Sequence, residues 1–189
     1  MQIDIVEEPL SNLAEHARIP AVFLVERILA IDDSAGRLSI AERKLDEPYW
    51  KNYDTLEPPA TWAAKFDLAK WGLLAAFFQY QRVGGAIIAF DSPGVESLKG
   101  RRDRAVLWDL RVDPTLRRHG IGRALFRAAE DWAASKGCVE FVVETQNTNV
   151  PACRFYEGQG CLLEEIVPDV YPALPDELQF IWSKVPKAI

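Results

Sequence analysis

The stretch Arg117-Arg118-His119-Gly120-Ile121-Gly122-Arg123 sets three arginines and a histidine around two glycines, just before a run of helical periodicity. Glycines leave backbone N–H groups uncovered. Beside a helix N-terminus such amides form a site for phosphate oxygens, and the helix dipole adds to the attraction. The ionisable side chains of the same half of the chain include the carboxylates Asp109 and Glu144 and the phenol Tyr156. A carboxylate can accept a proton and a phenol can donate one. A Gly-x-Gly pair alone also marks ordinary turns. A dinucleotide fingerprint would need a third glycine where Leu125 stands, and no Gly-Lys-Ser/Thr follows to make a triphosphate loop.

The elements around these residues read as alternating strands and helices. Ala105–Val112 is a β-rich run that ends before Pro114. Leu125, Ala128, Ala129 and Trp132 recur at helical spacing, so a helix is expected over Ile121–Lys136, stopped by Gly137. Val139–Thr145 is the next strand, Pro151–Gln159 a short helix with Asn149 or Val150 at its start, and Leu162–Val167 and Leu178–Ser183 closing strands. Asn149 suits an N-cap. Further upstream, Ile3–Val6 reads as a short strand. Phe23–Ile31 and Arg37–Lys44 read as a hairpin about the turn Asp32-Asp33-Ser34-Ala35-Gly36. An irregular loop is expected over Leu45–Pro59 and a short helix over Ala60–Lys70. Gly72–Gln81 and Ala86–Phe90 read as strands joined through Arg82-Val83-Gly84-Gly85. The pattern implies an α/β sheet of mixed direction with a crossover helix after the cationic loop. Arg111 is expected on the face opposite Asp109, a poor direct partner for it. Neither His16 nor His119 is taken as a base.

Composition narrows the classes. The 189 residues are 49% hydrophobic and 26% charged, which suits one globular domain. A net charge of −6 argues against bulk nucleic-acid binding. Lys99, Arg101, Arg102 and Arg104 read as a solvated loop. Cys138, Cys153 and Cys161 have no metal-ligand spacing and read as small buried side chains in a reducing compartment, and no metal is expected. The N-terminus lacks the pattern of a secretory signal, and Leu73–Phe90 is too broken for a membrane span, so the cytoplasm is the expected location.

Two elements together resemble the GNAT N-acetyltransferases. Arg117-x-x-Gly120-x-Gly122 is similar to that family's Q/R-x-x-G-x-G/A signature. Asn149-x-x-Ala152-x-x-Phe155-Tyr156-Glu157-x-x-Gly160 resembles its later N-x-x-A-x-x-x-Y-E-x-x-G element, with Cys161 standing where the family usually has Phe. The likeness is strong from Ala105 to about Glu165. It implies a mixed, mostly antiparallel central sheet with helices on both faces and a splayed strand pair holding acetyl-coenzyme A. It implies one acetyltransferase domain over 1–189, with 1–104 on the acceptor side and 105–189 binding the cofactor.

By this resemblance the amides of the 117–123 loop hold the cofactor pyrophosphate. The backbone of Leu110-Arg111-Val112 bonds the pantetheine arm, and an amide near Leu110 polarises the acetyl carbonyl. Asn149 and Ala152 lie at cofactor-contact positions, and Tyr156 is the acid for the leaving thiolate. Glu144 and Asp109 are candidate bases, each acting through water or by attracting a cationic amine. The segment Glu144–Tyr156 resembles one subgroup more closely, the streptothricin acetyltransferases, which acetylate a cationic antibiotic. Trp50 and Tyr53 then become candidate stacking residues for the acceptor, with Glu144 beside them. A small-molecule or peptide amine is the implied partner, without nucleic acid or membrane; a homodimer stays open. The competing reading is a non-catalytic acyl-coenzyme A sensor or regulatory protein.

Overall fold

The computed structural model describes residues 1–32, 39–171, 174 and 177–186. Two compact units interleave along the chain. The first is Met1–Ala21, Tyr53–Val143 and Lys184–Ile189; the second is Val22–Asn52 and Glu144–Ser183.

The first unit carries β1 (Asp4–Glu8), α1 (Leu13–Ala17), α2 (Trp62–Lys65), β4 (Gly72–Phe78), β5 (Gln81–Phe90), β6 (Arg104–Val112), α3 (Ile121–Ser135) and the start of β7 (Glu140–Gln146). The second carries β2 (Val22–Asp32), β3 (Ser39–Asn52), the end of β7, α4 (Val150–Gly158), β8 (Leu162–Val167) and most of β9 (Gln179–Lys184). β1, β4, β5 and β6 pair antiparallel in sequence, and β6 pairs with β7 in parallel, Arg104–Leu107 against Glu140–Val143. α3 is the crossover between that parallel pair, which no tight turn could connect.

α3 buries Ile121, Leu125, Phe126, Ala129, Trp132 and Ala133, one stripe at helical spacing. That stripe lies on β4 and β5 at two glycines. A Cβ on Gly72 would meet Trp132 at 2.7 Å, and one on Gly84 would meet Leu125 at 2.9 Å. Gly84 and Gly85 are therefore packing positions and not a turn. The β4–β5 connection falls instead at Gln79-Tyr80, both with positive φ (49° and 65°), as a two-residue hairpin loop of the primed type requires.

The expected loop over Leu45–Pro59 is also corrected. β3 runs through Asn52 and pairs with β2 from Ser39 opposite Asp32 to Asn52 opposite Val22. Pro48, which cannot donate to a ladder, sits where the register jumps from Val25–Tyr49 to Arg27–Lys44. The helix expected over Ala60–Lys70 shrinks to a 3-10 turn, Pro59–Thr61, and the four residues of α2. Most of the turn expected at 32–36 lies outside the described residues. The three arginines of the 99–104 cluster face carboxylates. Arg101 bonds Asp103 and Glu140, Arg102 lies 3.2 Å from Asp91, and the buried Arg104 lies 3.4 Å from Glu140.

Candidate active site

β6 positions the first group of site residues. It pairs with β5 as Leu107–Ile88 and then Asp109–Ile87, so Trp108 is an extra residue with no partner on β5. Such a bulge bends the strand and re-aims its side chains. Trp108 is held by Phe66, Trp71 and Trp62, with ring centroids 5.1, 5.3 and 6.2 Å away. Leu107 shares the α3 face with Ile88, whereas Asp109 falls on the opposite face with Ile87 and Gly85.

Asp109 and Arg111 lie on that same face, contrary to the expectation from sequence. Residues two apart on a strand point the same way. Arg111 Nε donates to Asp109 Oδ2 at 2.6 Å. The guanidinium also bonds the Ile19 carbonyl at 2.9 Å and Asp54 Oδ2 at 3.1 Å, with Nη2 2.8 Å from Asp54 Oδ1. His16, on α1, is 0% exposed and puts Nε2 3.2 Å from Asp109 Oδ2. Burial pushes the Asp109 carboxyl up, but the His16 hydrogen bond and the Arg111 charge outweigh it and hold the group below the usual carboxylate range. No short-range signal in the sequence links His16 to Asp109, 93 positions apart.

The cationic loop starts at Asp113, whose carboxylate accepts from the Thr115 amide at 2.9 Å and whose own amide bonds the Val83 carbonyl at 2.9 Å. A 3-10 turn, Pro114–Leu116, leads to Arg117 and His119, both exposed. Arg117 Nε bonds the Val112 carbonyl at 3.3 Å, and His119 Nδ1 lies 2.9 Å from the Arg117 carbonyl oxygen. Arg118 has φ 69° and Gly120 φ 87°. Gly120 is the N-cap of α3, no side chain caps that end, and a Cβ on Gly120 would meet nothing within 4 Å. Space, uncapped helix N-terminus and exposed cations fit a pyrophosphate. Ile121 is buried under the helix, Gly122 is half-buried and Arg123 is exposed. Leu110 and Val112 are half-buried on the α3 face, opposite Ala86 and Gly84.

The second unit holds the remaining candidates. Asn149 caps α4, its Oδ1 accepting from the Ala152 amide at 3.2 Å. Tyr156 is buried on α4 and packs edge-on against Phe155 at 5.1 Å. Glu144 Oε1 accepts from the Tyr171 hydroxyl at 2.7 Å, which in turn accepts from Gln146 Nε2 at 2.8 Å. Asn147 is structural. Its side chain bonds the Leu29 carbonyl at 3.1 Å and the Leu178 amide at 3.0 Å. Trp50 on β3 is 70% exposed, while its neighbour Lys51 is buried in an ion pair with Glu177. Tyr53 belongs to the first unit, half-buried in a 3-10 turn beside Asp54. Cys138 and Cys153 are buried, their thiols pushed up to about 11 mainly by that burial.

A bulged strand followed by a cationic glycine loop at an uncapped helix N-terminus suits a phosphorylated ligand. A sequence model of the Acetyltransferase (GNAT) family matches residues 30–161. The chain belongs to that family and is an N-acetyltransferase that takes its acetyl group from acetyl-coenzyme A.

Streptothricin acetyltransferase of Escherichia coli is 26% identical over 185 residues, covering 96% of this chain and 94% of its own. Streptothricin acetyltransferase A of Bacillus subtilis (strain 168) is 23% identical over 152 residues, 78% of this chain and 79% of that protein. Aminoglycoside N(6')-acetyltransferase type 1 of Klebsiella aerogenes is 55% identical over 38 residues, and the match spans only 25% of its length. Among solved structures, nourseothricin acetyltransferase shares the fold at TM-score 0.77 and 18% identity, covering 99% of this chain and 100% of that one. An acetyltransferase of Bacillus anthracis str. Ames, solved with acetyl coenzyme A, shares it at TM-score 0.76 and 24% identity, covering 97% and 99%. Among the described residues no helix is long and apolar enough to cross a membrane.

Proposed function

We propose that this chain acetylates a primary amine of a cationic small molecule of the streptothricin kind. The observation that carries the reading is Asp109, a carboxylate kept ionised on the bulged strand β6. Similarity to streptothricin acetyltransferases over most of both chains supports the same acceptor class.

When bound, acetyl-coenzyme A supplies the thioester. The amides and cations of residues 117–123 hold its pyrophosphate, and the backbone of Leu110-Arg111-Val112 aligns its pantetheine arm. A splay of the strand pair, begun by the Trp108 bulge, makes room for that arm. Asn149 and Ala152 border it. A backbone N–H near Leu110 donates to the acetyl carbonyl as negative charge develops, worth about 3 kcal/mol.

Asp109 attracts the acceptor's ammonium. A carboxylate held below its usual range is a weak base, so Glu144, through water, takes the proton from the attacking amine. The amine nitrogen forms the C–N bond as the C–S bond breaks, and the Tyr156 hydroxyl gives its proton to the departing sulfur. Trp50 and Tyr53 stack against the cationic acceptor. The division into an acceptor half, 1–104, and a cofactor half, 105–189, and a cytoplasmic setting for its three free cysteines belong to this reading.

The test is thiol release from acetyl-coenzyme A by purified protein, with streptothricin as acceptor beside a panel of other amines. Release with streptothricin at micromolar acceptor is expected. Release only with other amines overturns the acceptor, and tight cofactor binding without release from any amine favours a sensor.

A further inference from the structure

Asp109 is held from one side only. Both of its side-chain partners, His16 Nε2 at 3.2 Å and Arg111 Nε at 2.6 Å, contact Oδ2. Among the described residues Oδ1 accepts no hydrogen bond, and the side chain is 14% exposed. One oxygen is pinned inward and the other keeps access to solvent.

The inward grip comes at a cost to stability that suggests a purpose. His16 is fully buried and its Nδ1 has no hydrogen-bond partner. A buried polar atom left unpaired opposes folding, and an apolar side chain of similar shape would avoid this. The tautomer carrying its hydrogen on Nε2 suits the site, because a hydrogen on Nδ1 would meet no acceptor. The sheet also yields to the ring. A Cβ on Gly85 would press into His16 Nδ1 and lie 3.1 Å from Cε1, so β5 gives up a side chain there. The charged groups facing the ring are Asp109 and, through it, Arg111 and Asp54.

We infer that His16 is a positioning residue for acceptor recognition. Its imidazole, seated over Gly85, works with Arg111 to fix the Asp109 carboxylate so that Oδ1 meets the ammonium of the acceptor. This rests on the role proposed above for Asp109. His16 acts through that carboxylate and touches neither substrate.

Three variants test it: His16→Leu, His16→Gln and Gly85→Ala. The readouts are KM for streptothricin, or for the best-used amine of the panel, kcat, and acetyl-coenzyme A affinity by calorimetry. His16→Leu raises the acceptor KM about tenfold, as loss of a hydrogen bond to a charged group does, with cofactor affinity within about twofold. His16→Gln, whose amide N–H can reach Asp109, recovers most of the KM. Gly85→Ala keeps the histidine but displaces its ring and raises KM as His16→Leu does. An unchanged KM in folded His16→Leu overturns the inference, and so does equal weakening of acceptor and cofactor. If His16→Leu does not fold, Gly85→Ala decides between the same outcomes. If the wild type uses another amine and not streptothricin, the proposed acceptor falls, while the KM ratio on the amine used still judges His16.

Discussion

Arg111 and Asp109 stand two residues apart on β6 and meet on one face of the sheet, Nε 2.6 Å from Oδ2. The same guanidinium ties Asp54 and the Ile19 carbonyl to that strand, so one buried cation joins β6 to the ends of two connecting segments. Replacing Arg111 by Met leaves the carboxylates of Asp109 and Asp54 without their cation. The expected loss is about 3–5 kcal/mol of stability, a fall of roughly 6–20 °C in Tm. Thermal melts of the wild type and R111M give the number.

The acid limb of stability follows from the direction of the Asp109 shift. Its folded value lies below the value of about 3.9 in an unfolded chain. The contribution is complete above about pH 4 and is lost as pH falls through the folded value. Asp109→Asn removes that dependence. Urea midpoints of the two proteins, measured from pH 3 to pH 7, should differ most at neutral pH and converge at the acid end.

Gly120 has φ 87° and empty space around its Cβ position. Gly120→Ala therefore meets strain without collision, at about 1 kcal/mol. Its larger effect is expected on acetyl-coenzyme A, whose dissociation constant rises as the loop departs from its cradle. Calorimetry with coenzyme A, beside a thermal melt, separates the two effects.

Tyr156→Phe removes one hydroxyl from a buried ring that packs on Phe155. If the phenol is the acid, kcat falls about 100-fold while cofactor affinity stays level. Full turnover in this variant would assign the proton to another donor.

The thiols of Cys138 and Cys153, pushed up to about 11, are almost wholly protonated at pH 8. Native protein should react slowly with a thiol reagent at these positions and quickly once unfolded. A rapid reaction of both in the native state would contradict their burial. The practical gain is a low protein background in assays that count released coenzyme A.

The half of the chain from Ala105 onward was readable because its signals are local. α3 announces itself by periodic Leu125, Ala128, Ala129 and Trp132, and Gly137 follows with φ 79°. The cap at Asn149 needs only three residues to be seen. What escaped depends on distance. Gly84 and Gly85 looked like a turn because their reason for lacking side chains, α3 on one face and His16 on the other, lies elsewhere in the chain. Pro48 and the surrounding charges disguised β3 as a loop, since a ribbon's irregular register leaves no periodic trace. His16 carries no local signal for the same reason: its partner is set by tertiary packing alone.

The extra residue at Trp108 gives β6 something like a reading frame. Before it, odd-numbered side chains turn toward α3; after it, they turn away. Without that offset Asp109 and Arg111 would enter the apolar layer under the helix, and Leu110 would leave it. Removing Trp108 alone would preserve both assignments and cost the bend. Removing any residue between Asp109 and Val112 would reverse the side chains beyond the cut. Length changes in this strand are therefore tolerated by position, with one point at which the count can alter and every face still be right.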